Sequence, residues 1–132
     1  MVYNVLYIFK KIGLLLSFDD IKGLPSSREY VELECPNIFI DKGYWTGVKV
    51  LDLLTMAGMD DNAKRVKFTS IDKSHTQTLF LEEIKPEGFL IAYQFNDKEF
   101  SKYHGYPLRL VAKDISGGIW VKWLGEIEVL ND

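Results

Sequence analysis

A chain of 132 residues with 47% apolar and 27% charged side chains is long enough to bury one core, and its single cysteine rules out an internal disulfide framework. A net charge of −3 with no basic run or stripe argues against a nucleic-acid binder, and the lone cysteine suits a reducing, cytoplasmic setting. The apolar start, MVYNVLYIFKKIGLLLSF, is interrupted by Lys10, Lys11 and Gly13, which is too broken for a membrane span, and it lacks the charge-first order of a signal peptide, so it reads as a strand of the domain.

No repeat, low-complexity tract or linker divides the chain, so residues 1–132 read as a single domain. Tyr3 to Phe9 reads as a strand. Ser17, with Asp20 three residues on, is a helix-start signature for a short helix ending near Gly23 and Pro25. From Glu29 to Cys35 the alternation is clean, with Val31, Leu33 and Cys35 on one side, and Pro36-Asn37 breaks the strand after the cysteine. Trp45-Thr46-Gly47 reads as a turn, after which Val50, Leu53, Leu54 and Ala57 recur at helical spacing with Gly58 as the stop. Val66 to Ile71 and Thr76 to Phe80 are strands, Leu81 to Lys85 one helical turn, and Phe89 to Phe95 an apolar central strand closed by the Asn96-Asp97 turn. The fold class is α+β: a mixed or antiparallel curled sheet with a few short helices at its side.

The stretch HGYPLRLVAKDISGGIWVKWLGEIEV, His104 to Val129, reads as two apolar strands around a Gly-rich turn. It carries cations that a purely structural hairpin does not need. Ser116-Gly117-Gly118 frees the backbone to approach an anion, and Arg109, Lys122 and His104 are candidates to converge on one phosphate-sized group. The competing reading makes Arg109 and Lys122 solvated strand residues. Cys35 is either a small buried hydrophobe or a thiolate ligand for a soft transition metal. With only two histidines beside it, a closed four-ligand zinc site is short of donors. Asp72, at a strand end, reads as a turn residue.

Several blocks resemble the molybdopterin-binding domain of the sulfite oxidase family. They are V-E-L-E-C (Val31 to Cys35), W-T-G-V with the helix behind it, F-T-S-I-D (Phe68 to Asp72), H-G-Y-P-L-R (His104 to Arg109) and V-K-W-L (Val121 to Leu124). The match runs from about Phe18 to Val129. The resemblance implies a sulfite-oxidase-type fold and a molybdenum cofactor, molybdopterin. It implies Cys35 as metal ligand and catalytic residue, Asp72 beside the pterin, and His104, Arg109 and Lys122 on the phosphate end. It further implies oxygen-atom transfer or reduction of an oxidised small-molecule substrate, with an electron-transfer or subunit partner protein.

This sequence departs from the family pattern in places. No His precedes Cys35, the only arginine before it is Arg28, and Pro36-Asn37-Ile38-Phe39-Ile40 follows it with no arginine for an anionic substrate. The family's C-terminal immunoglobulin-like dimerisation domain has no counterpart here. These losses keep an alternative open: a non-catalytic binding or subunit-contact module, with Tyr44, Trp45, Tyr103 and Tyr106 near the pocket mouth as its markers. On either reading the purified chain is expected to be largely free of cofactor.

Overall fold

In the computed structural model, residues 5–9, 14–35, 39–100, 105–115 and 120–132 are described, with backbone only at 5–9, 33–35 and 39–41. Ser17 is where the sequence turns most directly into geometry. Its hydroxyl accepts the Asp20 N–H at 3.0 Å and the Asp20 carboxylate accepts the Ser17 N–H at 2.9 Å. This reciprocal pair satisfies two amides that a helix start leaves unmatched, and opens α1 (Phe18–Lys22). The remaining elements are β1 (Val5–Phe9), β2 (Leu14–Ser17), β3 (Ser27–Cys35), β4 (Phe39–Lys49), α2 (Val50–Met56), β5 (Arg65–Ser70), β6 (Thr76–Phe80), α3 (Leu81–Ile84), β7 (Phe89–Phe95), β8 (Lys98–Glu99), β9 (Arg109–Ala112) and β10 (Leu124–Leu130).

The strands form two sheets. One runs β2-β1-β10-β5-β6, parallel between β1 and β10 and antiparallel elsewhere; the other runs β3-β4-β7-β8, with β9 also paired to β7. The mixed, mainly antiparallel α+β class expected from the sequence is the one observed. One core fills the space between them, drawing Phe68, Ile127 and Val129 from the first sheet and Val48, Ile91 and Leu110 from the second. Val31, Ile91, Tyr93, Leu108, Leu110, Val121 and Ile127, each placed on an apolar strand face by the sequence pattern, are all buried, while the Leu33 side chain lies outside the described residues.

Three features differ from the sequence pattern. The N-terminal run is not one strand but an antiparallel pair, β1 and β2, in which Val5 faces Ser17 and Ile8 faces Leu14. Trp45-Thr46-Gly47 is not a turn: β4 runs straight through it, with a register shift against β7 between Thr46 and Gly47. The glycine is there for close approach rather than for turning. A Cβ at Gly47 would collide with the Ile91 carbonyl oxygen and come within 2.5 Å of the Ala92 Cα.

The third difference lies in the His104–Val129 stretch. Its two strands are not paired as a hairpin, because β9 joins β7 and β10 lies between β1 and β5. The segments are joined by backbone bonds in which the Leu110 N–H donates to the Val121 carbonyl and the Leu124 N–H to the Leu108 carbonyl, both at 2.9 Å. The chain thus crosses from one sheet to the other between residues 112 and 124, and these two bonds tie the sheets together. Elsewhere the turn signals hold. Asn96 and Asp97, at φ 49° and 66°, make the β7–β8 turn, and Gly58 at φ 86° ends the α2 segment. The Pro36-Asn37 break and the Ser116–Gly118 turn lie outside the described residues.

Candidate functional site

Three segments distant in sequence meet where the two sheets are tied. Two are the start of β9 and the approach to β10, joined by the bonds at Leu108 and Leu110. The third is the β5–β6 turn, whose Ile71 N–H donates to the Trp123 carbonyl at 2.7 Å. Gly105 closes the fourth side: at φ 105°, a Cβ there would lie 3.0 Å from the Lys122 Cβ and 3.2 Å from its Cα. Only glycine lets the backbone preceding β9 lie this close against Lys122.

These backbone bonds bring the segments that carry Arg109, Lys122 and Asp72 next to one another. Arg109 is not a solvated strand residue. It is 2% exposed, with its guanidinium carbon 5.5 Å from the centre of the Trp45 ring and 5.7 Å from that of Trp120. The two indoles meet edge to face at 5.4 Å, and each is anchored by its N–H, Trp45 on the Val31 carbonyl and Trp120 on the Ile115 carbonyl, both at 3.0 Å. A planar, weakly hydrated cation is the side chain that tolerates such a setting. The alternation that suggested an exposed face fails here because β9 is covered on both sides, every residue of it being buried. Lys122 is half-buried, its ammonium 5.8 Å from the Trp123 ring.

Asp72 sits in the turn after β5. Its Oδ1 accepts from Ser70 Oγ at 2.8 Å, from the Ser74 N–H at 3.0 Å and from Ser74 Oγ at 2.7 Å. The Ser74 backbone bond, followed by the Ser74 and Ser70 hydroxyls, lowers its pKa to about 2, so the group is ionised throughout the neutral range. Cys35 ends β3 opposite Phe39 of β4, but its side chain lies outside the described residues, and so does His104. Among the described residues no three His, Cys, Asp or Glu side chains come together as a metal cage. The described candidates are thus two cations, Arg109 and Lys122, and one ionised carboxylate, Asp72. Phosphate beside Arg109 and Lys122, and ring N–H groups beside the Asp72 carboxylate, match that set in charge and in donor and acceptor type.

Other residues fell elsewhere than the sequence suggested. Trp45 is core, Tyr106 packs against Phe18 at 5.7 Å, and Tyr103 lies outside the described residues. Tyr44 is exposed on the outer face of β4, where it stacks under the Arg28 guanidinium at 3.9 Å. Arg28 in turn grips Asp97 with Nε and Nη2, both at 2.9 Å. The pair holds the Asp97 carboxyl below its ordinary value and the guanidinium above its own. A groove of about 100 Å³ beside α3, lined by Glu29, Lys49, Ile84, Lys85, Glu87 and Phe89 among others, includes none of the candidate residues.

Comparison with known proteins bears on the fold and the family. The fold superposes on the crystal structure of the sulfane dehydrogenase SoxCD from Paracoccus pantotrophus with a TM-score of 0.87, at 23% identity over 97% of this chain and 38% of that one. The class is therefore that of a sulfite-oxidase-type molybdopterin fold. Residues 10–132 match the model of the oxidoreductase molybdopterin binding domain, and the chain belongs to that family. Among its relatives are mitochondrial sulfite oxidase of Mus musculus, 28% identical over 91% of this chain and 27% of the relative, and the oxidoreductase YuiH of Bacillus subtilis, 30% identical over 90% and 60%. The NADH nitrate reductase of Volvox carteri is 32% identical over 65% of this chain and 12% of its own length. The chain thus spans about a quarter of the sulfite oxidases it matches.

Proposed function

We propose that this chain is the cofactor-holding part of a molybdenum-dependent oxidoreductase acting on a small oxidisable or reducible molecule, with a partner protein as its electron exchange. The observation that carries the reading is the convergence of Arg109, Lys122 and the Asp72 turn, fastened by the backbone bonds at Leu108, Leu110 and Ile71. In this reading Lys122 meets the phosphate as a point charge, His104 joins it, and Arg109 adds a fixed cation behind the seat. The Asp72 carboxylate, with Oδ1 taken by its own turn, offers Oδ2 to a pterin N–H. Cys35 supplies the one protein thiolate to the metal. When bound, the cofactor supplies two-electron oxygen-atom transfer at molybdenum.

The test is metal and pterin analysis of the chain from an ordinary host and from one that overproduces the cofactor. Molybdenum and pterin are expected in a one-to-one ratio, scarce in the first preparation and rising with supply in the second. Cys35→Ser should remove the molybdenum and keep the pterin. Pterin at background in both preparations contradicts the reading.

A further inference from the structure

Trp123 is an aromatic residue in a backbone conformation that aromatic residues avoid. Its φ is +51°. The other described non-glycine residues with positive φ are Lys73, Asn96, Asp97 and Asp114, all polar and all in turns, the kinds of side chain and place where this region is tolerated. Two backbone bonds impose the conformation: the Trp123 carbonyl accepts the Ile71 N–H at 2.7 Å, and the next amide, of Leu124, donates to the Leu108 carbonyl at 2.9 Å. The backbone is pinned on both sides of the residue. Glycine would satisfy the same two bonds without strain, so the backbone accounts for the φ and not for the indole.

The indole has no role in the core. Trp45 and Trp120 are each 1% exposed with their N–H groups bonded, whereas Trp123 is 41% exposed and has the Lys122 ammonium 5.8 Å from its ring. A large exposed aromatic held at a strained position, next to a cation and directly beside the meeting point of Gly105, Arg109 and the Asp72 turn, is a binding surface in waiting. We infer that Trp123 is a stacking platform for a planar heteroaromatic ring whose anionic end lies against Lys122. The inference rests on the cofactor reading above, and within it identifies the ring as the pterin. Stacking on an indole is indifferent to the ring's hydrogen-bonding edge, so Trp123 complements Asp72, which reads that edge.

The experiment titrates the cofactor-free full chain with metal-free molybdopterin, comparing wild type with Trp123→Gly and Trp123→Phe, and records the thermal unfolding midpoint of each. Trp123→Gly should unfold at the same or a higher temperature and bind the ligand roughly 10- to 100-fold more weakly, the range for loss of one stacked ring. Trp123→Phe should retain most of the affinity. Acrylamide should reach the Trp123 emission in the free chain and lose that access on binding. Equal affinity of wild type and Trp123→Gly overturns the platform while leaving the cofactor reading in place. A wild-type chain that binds no ligand overturns both. A glycine variant that fails to fold would make the indole a structural element and also overturn the platform, whatever Trp123→Phe does.

Discussion

Arg109 lies with its guanidinium carbon 5.5 Å from the centre of the Trp45 ring, deep enough that 2% of the side chain is exposed. Water no longer solvates a cation so placed, and the flat faces around it take over part of that role. Lysine keeps the charge but presents a compact, strongly hydrated ammonium that cannot lie against Trp45 and Trp120 together. Arg109→Lys should therefore destabilise the fold by about 2 kcal/mol, the magnitude of a desolvated cation–π contact. A shift of the urea midpoint with an unchanged slope would register it.

The register shift between β4 and β7, where Tyr93 is left without a partner opposite Thr46 and Gly47, makes a sharper demand. At Gly47 the atoms that a Cβ would meet belong to the backbone of Ile91 and Ala92, so no side chain can swing away. Gly47→Ala should cost about 3 kcal/mol or more, the upper end of overpacking in a filled core. Leu110, fully buried in β9, gives the opposite kind of loss: Leu110→Ala should cost about 2–5 kcal/mol through the cavity it leaves. Denaturant unfolding of the two variants checks both, and a loss below about 0.5 kcal/mol for Leu110→Ala would show that β9 does not face the core as described.

How much of this was legible in the sequence depends on what each pattern encodes. Ser17 and Asp20 spelled out α1 because a capping box is local, and Asn96-Asp97 spelled out its turn for the same reason. Alternation told which residues share a face, and the expected core residues with described side chains are indeed buried together. Alternation does not say which strand a strand joins, so β9 and β10 read as a hairpin although they belong to different sheets. Gly47 signalled irregular backbone without saying whether the chain turns or is merely approached. At the site, Arg109 and Lys122 stood out as cations near a Gly-rich turn. The enclosure of Arg109 by Trp45 was invisible, because the two residues lie on different strands and nothing local links them.

Asp72 gives the site an acid dependence that can be measured on its own. Its folded pKa of about 2 lies below the value of about 3.9 for an unperturbed aspartate. A depressed pKa contributes stability that is fully present above the unfolded value and is lost as pH falls from about 4 through about 2. The Ser74 amide should lose protection against hydrogen exchange across that window. Asp72→Asn should flatten the response, and a carboxyl carbon titrating near 4 by NMR would contradict the turn geometry.

Sulfite turnover by the isolated chain is expected to be absent. The one arginine that precedes Cys35 is Arg28, and both ends of its fork already hold Asp97, while Pro36-Asn37-Ile38-Phe39-Ile40 brings no cation after the cysteine. Each charge-assisted contact contributes about 1.5–3 kcal/mol, so a dianion without such contacts is bound weakly. Steady-state assays with an artificial acceptor should show no sulfite-dependent reduction in cofactor-loaded protein.

Lys122 and its neighbours are the proposed seat for the cofactor's phosphate. Calorimetric titration of the cofactor-free chain with metal-free molybdopterin, and with the same molecule after removal of its phosphate, tests it most directly. One lost charge-assisted contact corresponds to roughly a 10- to 150-fold change in affinity. Wild type should prefer the phosphorylated form by at least about 10-fold, and Lys122→Ala should lose most of that preference while binding the dephosphorylated form as wild type does. Equal affinity of wild type for the two forms, or a preference that survives Lys122→Ala intact, would contradict the assignment.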